Sequence, residues 1–592
     1  MRCSSLHGLA LFVMACVCGG VAPPPVSAQA KTDTKHTAAS AHYEITGIVI
    51  NSVSESPVPH CHLAASLVAA RGRGANRQFP ASTNDSETDE QGHFSITLPS
   101  AGSWHLTASA RGYVTQAYDA HQNFSSAVVL SAESPTIDLR FRLSPEATVT
   151  GVVLDEAGEA VRNAQITLHN VPPPSPGGPQ APGGTRANAQ TDDRGRYELT
   201  SLSPGGYRLT VQARPWYATA SQQGGQASGG ATPLDPSLDV AYPLTWFPGS
   251  SDEALAETIV LHAGDTHQAD FHLVPVPSIH LRIAPPARSP TATGDRLPPA
   301  FPIVQPIAAS GSGLSGTLPV TTHQDAQGQF DIGGLTPGLY QVRLAGPNQD
   351  DHSTLVDVAA NSARTIDLSV PSRDMARITI NFDGLADAGP GPGEGRNGAL
   401  QVDLIDTETR RGDFSSFGNG GVANIGRRGQ RDSTADRTME VPPGRYEVVL
   451  QGRPNIYITG LSAKGADASG RYVTVPAGES MLTVHVASGR ASLSGIATLE
   501  GKPAVGAMVL LVPITIEEPD SVTFLRQDQS NTDGSFDLAN VIPGKYILVA
   551  IDHGWQINWG DRSTLRRYLT QGVPVELRSS AIVKQNVDAQ AP

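Results

Sequence analysis

The chain is poor in the residues that build catalytic or membrane machinery. Charged residues make up 17% of its 592 positions and aromatics 5%. No Lys/Arg-rich face offsets a formal net charge of -14, which excludes phosphate-backbone binding as a main role, since that binding needs a basic surface. Beyond the first thirty residues no run of about 18 apolar residues occurs, so no helical membrane span is expected. Among the 17 histidines there is no HExxH and no His-x-x-Glu, the spacings a zinc peptidase would need. A GxSxG elbow and a Walker-type loop are also missing, so no catalytic residue is assigned and no cofactor or metal is expected. Of the four cysteines, Cys3, Cys16 and Cys18 lie in the leader, and Cys61 alone cannot form an internal disulfide.

What the chain has in quantity is turn formers, Gly 60 and Pro 46, a balance that favours many short strands over long helices. Its length suggests roughly three to six domains. The N-terminus reads as an export signal over residues 1–28: Arg2, an apolar run over Leu9 to Val17, and a small-x-small site at Val26, Ser27 and Ala28. Val13 to Cys16 is a loose lipoprotein box that would place a lipid on Cys16, but Met14 fits it poorly. Residues 29–41 are a polar tether. The expectation is an exported protein, periplasmic, cell-surface or extracellular.

The rest of the chain is one pattern repeated. Its clearest copy is NTDGSFDLANVIPGKYILVA, Asn531 to Ala550, which reads turn, strand, turn, strand. Asp89, Asp192, Asp325 and Asn531 each stand three before a glycine, where an Asx side chain can bond the backbone and glycine can take positive φ. The aromatic after the second turn recurs at Trp104, Tyr207, Tyr340, Tyr446 and Tyr546, at separations of 103, 133, 106 and 100, and a period near 100 marks a domain, not a solenoid. In four copies another aromatic precedes it by ten (Phe94, Tyr197, Phe330, Phe536), and the even spacing predicts core rungs sharing a face of paired strands. The boundaries are 42–144, 147–276 (with Gly/Pro-rich insertions near 171–190 and 219–237), 277–371, 375–489 and 490–592, the third and fourth copies being divergent.

These residues carry a resemblance. TGVV, AQITL, TDDRGRY and PGGYRL in the second copy, with SGIA, AMVLL, NTDGSF and PGKY in the fifth, resemble the carboxypeptidase regulatory-like domain. The resemblance implies a prealbumin-like β-sandwich, and hence an all-β tandem array of such domains. WFPGSSDEALAETIVLHAG is similar to segments of multi-domain exported proteins of soil bacteria such as acidobacteria. Domains of this kind accompany peptidases and receptors as accessory modules, and related sandwiches bind glycans. The expected role is therefore a non-enzymatic binding or spacer protein, monomeric, with a glycan or cell-envelope protein as partner. The alternative is an accessory module set for a peptidase or glycan hydrolase acting in trans.

Candidate sites are few. His60, Cys61 and His62 form a metal-like cluster, but Cys61 aligns with Ala164 and Ala507 and reads as a small core residue. The turn aspartates offer too few carboxylates for calcium. Arg411-Gly412-Asp413 reads as a chance tripeptide. Binding residues are expected among the aromatics that follow the last repeated strand: Trp216, Tyr217, Trp555 and Trp559, with Tyr113 in the first copy, because exposed indoles stack on sugars or protein surfaces. Trp555 and Trp559, in HGWQINWGD, are placed on a loop at one end of the sandwich, with a structural role for them also open.

Overall fold

The computed structural model describes residues 42–592 except for 69–83, 122–123, 172–184, 219–235, 284–300, 307–319, 325–328, 346–352, 359–363, 367–375, 385–400, 408–437, 442, 452–454, 516–524 and 558–561. The leader, the tether, Trp559 and the Arg411 tripeptide lie outside the described residues. The described chain is all-β, a tandem series of β-sandwiches, with one α-helix at Arg562–Leu569 among the described residues.

Alternation along each strand dictates the architecture. Strand His93–Leu98 buries every second residue, so it has one wet and one dry face, and the dry face needs a partner sheet. In the first sandwich the sheet of His93–Leu98, Tyr43–Asn51 and Thr136–Leu143 faces the sheet of Asn84–Glu87, His62–Leu67 and Gly102–Ser109. Ile45, Val49, Leu63, Phe94, Trp104 and Phe141 from the two sheets form one core. The second sandwich repeats this order with Arg196–Leu202, Ala147–Leu154 and Thr266–Gln268 against Thr185–Gln190, Gln165–Asn170 and Gly205–Gln212. Separate cores follow around Ile279 to Val358, Ala376 to Val486 and Ala491 to Val587. In each sandwich the last strand returns to lie parallel beside the first, as Thr136–Leu143 does beside Tyr43–Asn51.

The aromatics ten apart are all buried, between 1% and 5% exposed. They do not share a face of paired strands, however. Phe94 and Trp104 sit in opposite sheets and share one core, as do Tyr197 and Tyr207, because the turn between the strands, Pro99 to Gly102 in the first sandwich and Pro204-Gly205 in the second, crosses from sheet to sheet. The tyrosine after that turn also fastens it: Tyr207 donates to Ser203 O at 2.7 Å, Tyr340 to Thr336 O at 2.7 Å, and Tyr546 to Ile542 O. Two of the four Asx turns form as expected: Asp89 Oδ1 accepts from the backbone of Gln91 and His93, and Asp192 Oδ1 from Arg194 and Arg196, whereas Asn531 Oδ1 accepts from outside its turn and Asp325 lies outside the described residues. Gly92, Gly195 and Gly534 hold φ of 77°, 71° and 78°.

The helix is a departure from the sequence reading, which has only a loop at Trp555 and Trp559 before the closing strands of the fifth copy. Leu565 and Tyr568 point inward, 1% and 3% exposed, onto Met508, Leu510, Val512, Val549 and Ile551. All six residues of strand Met508–Pro513 are buried as a result, so the outer face of this sheet is as dry as the inner one.

Candidate functional site

The same outer face in the second sandwich is polar and open. Ile166 and Leu168 of strand Gln165–Asn170 point into the core, so Gln165, Thr167 and His169 point out. On the adjoining strand Gly205–Gln212, Tyr207, Leu209 and Val211 point in, which leaves Arg208, Thr210 and Gln212 outward. Aligned on Tyr207 and Tyr546, the outward residues Gln165, Thr167, His169, Thr210 and Gln212 stand where the fifth sandwich has Met508, Leu510, Val512, Val549 and Ile551. One end of this polar face is closed by Trp246, 3% exposed, whose ring lies 5.4 Å from that of His169. His169 is buried there and its pKa is lowered to about 4 by desolvation, so it stays neutral, with Nε2 3.0 Å from Thr210 Oγ1.

The other end is a cleft of about 1010 Å³ floored by Gln165, Asn188 and Gln212. One wall is the turn Asp155–Asn163. Asp155 Oδ1 accepts from the backbone of Ala157 and Glu159 at 2.9 and 2.8 Å, which fixes the turn and directs Glu156 towards the opposite wall. There Glu156 accepts hydrogen bonds from Tyr217 and, at 3.0 Å, from Tyr242. Burial, then the hydrogen bond to Glu156, pushes the Tyr217 hydroxyl up to about 12, and the same two causes push Tyr242 up as well. Both hydroxyls are therefore donors at any physiological pH. Trp216 stands edge-to-face on Tyr217, 5.8 Å between centroids and 89° between planes, and is 78% exposed. The site thus offers an indole face, amide side chains and charges of both signs around a roomy cleft. Among the described residues no group of three or more His, Cys, Asp or Glu could hold a metal ion.

Trp216 has counterparts. Tyr113, Trp216 and Trp555 each follow the strand aromatic of their sandwich (Trp104, Tyr207, Tyr546) by nine positions. Tyr113 packs on its own core and accepts from Asn51 Nδ2 at 3.2 Å. Trp555 is half-buried in a short 3-10 turn, Gly554–Gln556, not displayed on an open loop. Its Nε1 donates to Gly506 O at 3.0 Å, and the rings of His121 and Phe124, from the first sandwich, cover it at 5.6 and 5.3 Å. Of the three, Trp216 is left with its ring outward. Of the residues that sequence reasoning missed here, Gln165 carries a readable signal, polar residues on the outward alternation of a strand whose counterpart Met508–Pro513 is apolar throughout, and Gln212 pairs with it on the adjoining strand; Glu156 and Tyr242 lie outside these strands.

Residues 148–274, which contain the whole of this site, match the carboxypeptidase regulatory-like domain family. The second sandwich is a carboxypeptidase regulatory-like domain. No curated protein matches the chain. Solved structures it is similar to include the Bacillus anthracis TIE protein, at 14% identity over 77% of this chain and 76% of that one, with a TM-score of 0.15. GBS52, the minor pilin of Streptococcus agalactiae, is 9% identical over 42% and 99% of the two chains, with a TM-score of 0.20. A streptococcal ancillary pilin is 12% identical over 55% and 98%, with a TM-score of 0.17. Likenesses at these scores carry no argument about function.

Beside the cleft, the regulatory-like domain is tied to the third sandwich. Arg214 Nη2 donates to Val320 O at 3.1 Å, and His280 bridges Asp331 (2.8 Å) and Asp239 (3.0 Å). Burial acts to lower the pKa of His280, but the Asp331 hydrogen bond and the two carboxylates outweigh it and raise the value above the usual 6.5. A raised histidine pKa contributes stability that is fully present below the unfolded value and lost as pH rises through the folded one. The junction is therefore expected to weaken over the pH window that opens at about 6.5, the unfolded value, and closes above the raised folded value. Melting of the wild type and of His280→Gln across this window checks it: the wild type should lose stability and the variant should not. Parallel pH profiles would show that the bridge contributes nothing.

Proposed function

We propose that the chain is a non-enzymatic exported binding and spacer protein of the cell envelope or exterior, a monomer in dilute solution, whose five sandwiches are semi-independent domains. In this reading the cleft of the regulatory-like domain binds a glycan, with Trp216 as stacking platform, Tyr217 as its support, and Gln165, Asn188 and Gln212 as hydrogen-bonding groups. The observation that supports it most is the contrast between equivalent sheet faces. The fifth sandwich covers an apolar face with a helix, whereas the second keeps a polar face open beneath a 78% exposed indole. Sugar rings present alternating apolar C–H faces and hydroxyl edges, and an aromatic face beside amides complements both.

The test is a glycan and peptidoglycan binding screen on the chain from Gln29 onward, followed by Trp216→Ala. The variant should bind the retained glycan about tenfold more weakly, a loss of roughly 1.5 kcal/mol of stacking. Its melting should be unchanged within about 0.5 kcal/mol, as expected for a surface position. A wild type that retains no glycan, or retention indifferent to Trp216→Ala, would refute the reading.

A further inference from the structure

The first and fifth sandwiches touch, although more than 400 residues separate the groups that meet. Strand Val128–Leu130 lies at a free sheet edge of the first sandwich, and the turn Gln529–Thr532 of the fifth occupies it. Ala127 N donates to Asn531 Oδ1 at 2.9 Å, Thr532 N to Ala127 O at 3.1 Å, and Val129 N to Thr532 Oγ1 at 2.8 Å. Beside this ladder Gln529 Nε2 donates to Asp119 O at 2.6 Å, and Ser126 Oγ to Ser530 O at 2.8 Å. Ser126, Gln529 and Ser530 are each at most 1% exposed, so these polar groups are desolvated as well as paired.

Two departures from the repeat fall on this contact. In the first two sandwiches the turn residue is aspartate, and its carboxylate accepts from the backbone of its own turn. In the fifth it is Asn531, whose amide oxygen is given to Ala127 while Asp533 takes over the local bond to Ser535 N at 2.9 Å. The second departure is Gly506, where the other two have His60 and Asn163, all at positive φ. A Cβ on Gly506 would lie 2.2 Å from Asp119 Oδ2, so a side chain there would displace the Asp119 carboxylate from this contact. The fifth sandwich is shaped to receive the first.

The two surfaces are different from each other, so the contact is heterologous, and a heterologous contact made within a chain can be made equally between chains. It is mainly polar: apart from the packing of His121 and Phe124 on Trp555, none of the hydrophobic clusters among the described residues spans the two sandwiches. Contacts of that kind behave as transient interfaces and can open. We propose that this contact is a docking interface for a second copy of the chain, in which the Gln529–Thr532 turn of one molecule adds to the Ala127–Leu130 edge of another. Exchanging an internal contact for an identical external one costs no interface energy. What opposes it is the effective concentration of the internal partner, so dimers form where the protein is crowded, as on a surface.

The experiment uses the chain from Gln29 onward in three forms: Val129→Cys, Thr532→Cys, and both together. Cys61 is buried and does not compete. With a short bismaleimide the doubly substituted chain should be linked internally and remain a monomer. Mixing the two singly substituted chains at high concentration should give a linked dimer that neither gives alone, and adding Asn531→Ala to the Thr532→Cys chain should lower its yield at least fivefold. No dimer in the mixture, equal dimer in the unmixed samples, a yield indifferent to Asn531→Ala, or no internal link in the double variant would each overturn the proposal.

Discussion

Replacing Gly151 with alanine is expected to destabilise the second sandwich by about 3 kcal/mol or more, the upper end for an overpacked core. Gly151 is the glycine of the repeated Thr-Gly or Ser-Gly pair, with Gly47 and Gly495 as its equivalents. Across the sheet it faces Tyr197 on one side, and on the other the last strand comes so close that an added Cβ would lie 1.9 Å from Ala269 O and 2.8 Å from the Tyr197 ring. Gly495 shows the same geometry, 1.9 Å from Gln585 O and 2.8 Å from the Phe536 ring. Accommodating the methyl would push the last strand away and break the bond that Tyr197 donates to Ala269 O. The sign of the effect discriminates between explanations. Gly151 is not at positive φ, so if only backbone freedom mattered, alanine would stabilise by about 0.4 to 1 kcal/mol through the unfolded chain. Denaturant unfolding followed by tryptophan fluorescence reads the difference, and a variant as stable as the wild type would sink the argument.

Tyr546→Ala should cost about 3 to 5 kcal/mol in the fifth sandwich, the range for emptying a large aromatic site in a core. The ring is 1% exposed and lies against Gly544, whose added Cβ would be 3.3 Å from it, while its hydroxyl donates to Ile542 O across the Pro-Gly turn. Tyr546→Phe separates the two contributions. It keeps the packing and leaves the Ile542 carbonyl unpaired, at a cost of about 1 to 2 kcal/mol. Equal losses for both variants would mean that the hydroxyl, not the ring, holds the turn. A loss below 1 kcal/mol for alanine would mean that the site collapses on itself.

The sandwich fold was legible because its determinants are local and repeated. Asx turns, Pro-Gly turns and buried aromatics recur at matching positions, and each has a reason within a few residues of itself. The pairing of Phe94 with Trp104 was misread as same-sheet because spacing along the chain cannot tell a hairpin from a crossing between sheets. Helix Arg562–Leu569 was missed although Leu565, Tyr568 and Leu569 follow helical spacing, because two short turns of helix are marginal until they find the apolar face of Met508 and Leu510. Trp216 and Tyr217 were visible as candidates from their place after the last repeated strand. The floor of their cleft was not, because outward polarity at Gln165 and Gln212 becomes meaningful only when set against Met508 and Ile551. The covering of Trp555 by His121 and Phe124 depends on residues more than 400 positions away and has no local trace.

The return of each last strand alongside the first also determines how the chain bears tension. In the first sandwich the paired register runs from Glu44 opposite Thr136 to Asn51 opposite Leu143, and in the fourth from Ala376 opposite Gly478 to Asp383 opposite His485. The chain enters at the start of one strand and leaves at the end of its parallel neighbour. A pull along the chain drags these two strands in opposite directions along their length, loading the whole row of hydrogen bonds in shear instead of unzipping it bond by bond. Resistance to such a pull is set by the unfolding rate and not by equilibrium stability.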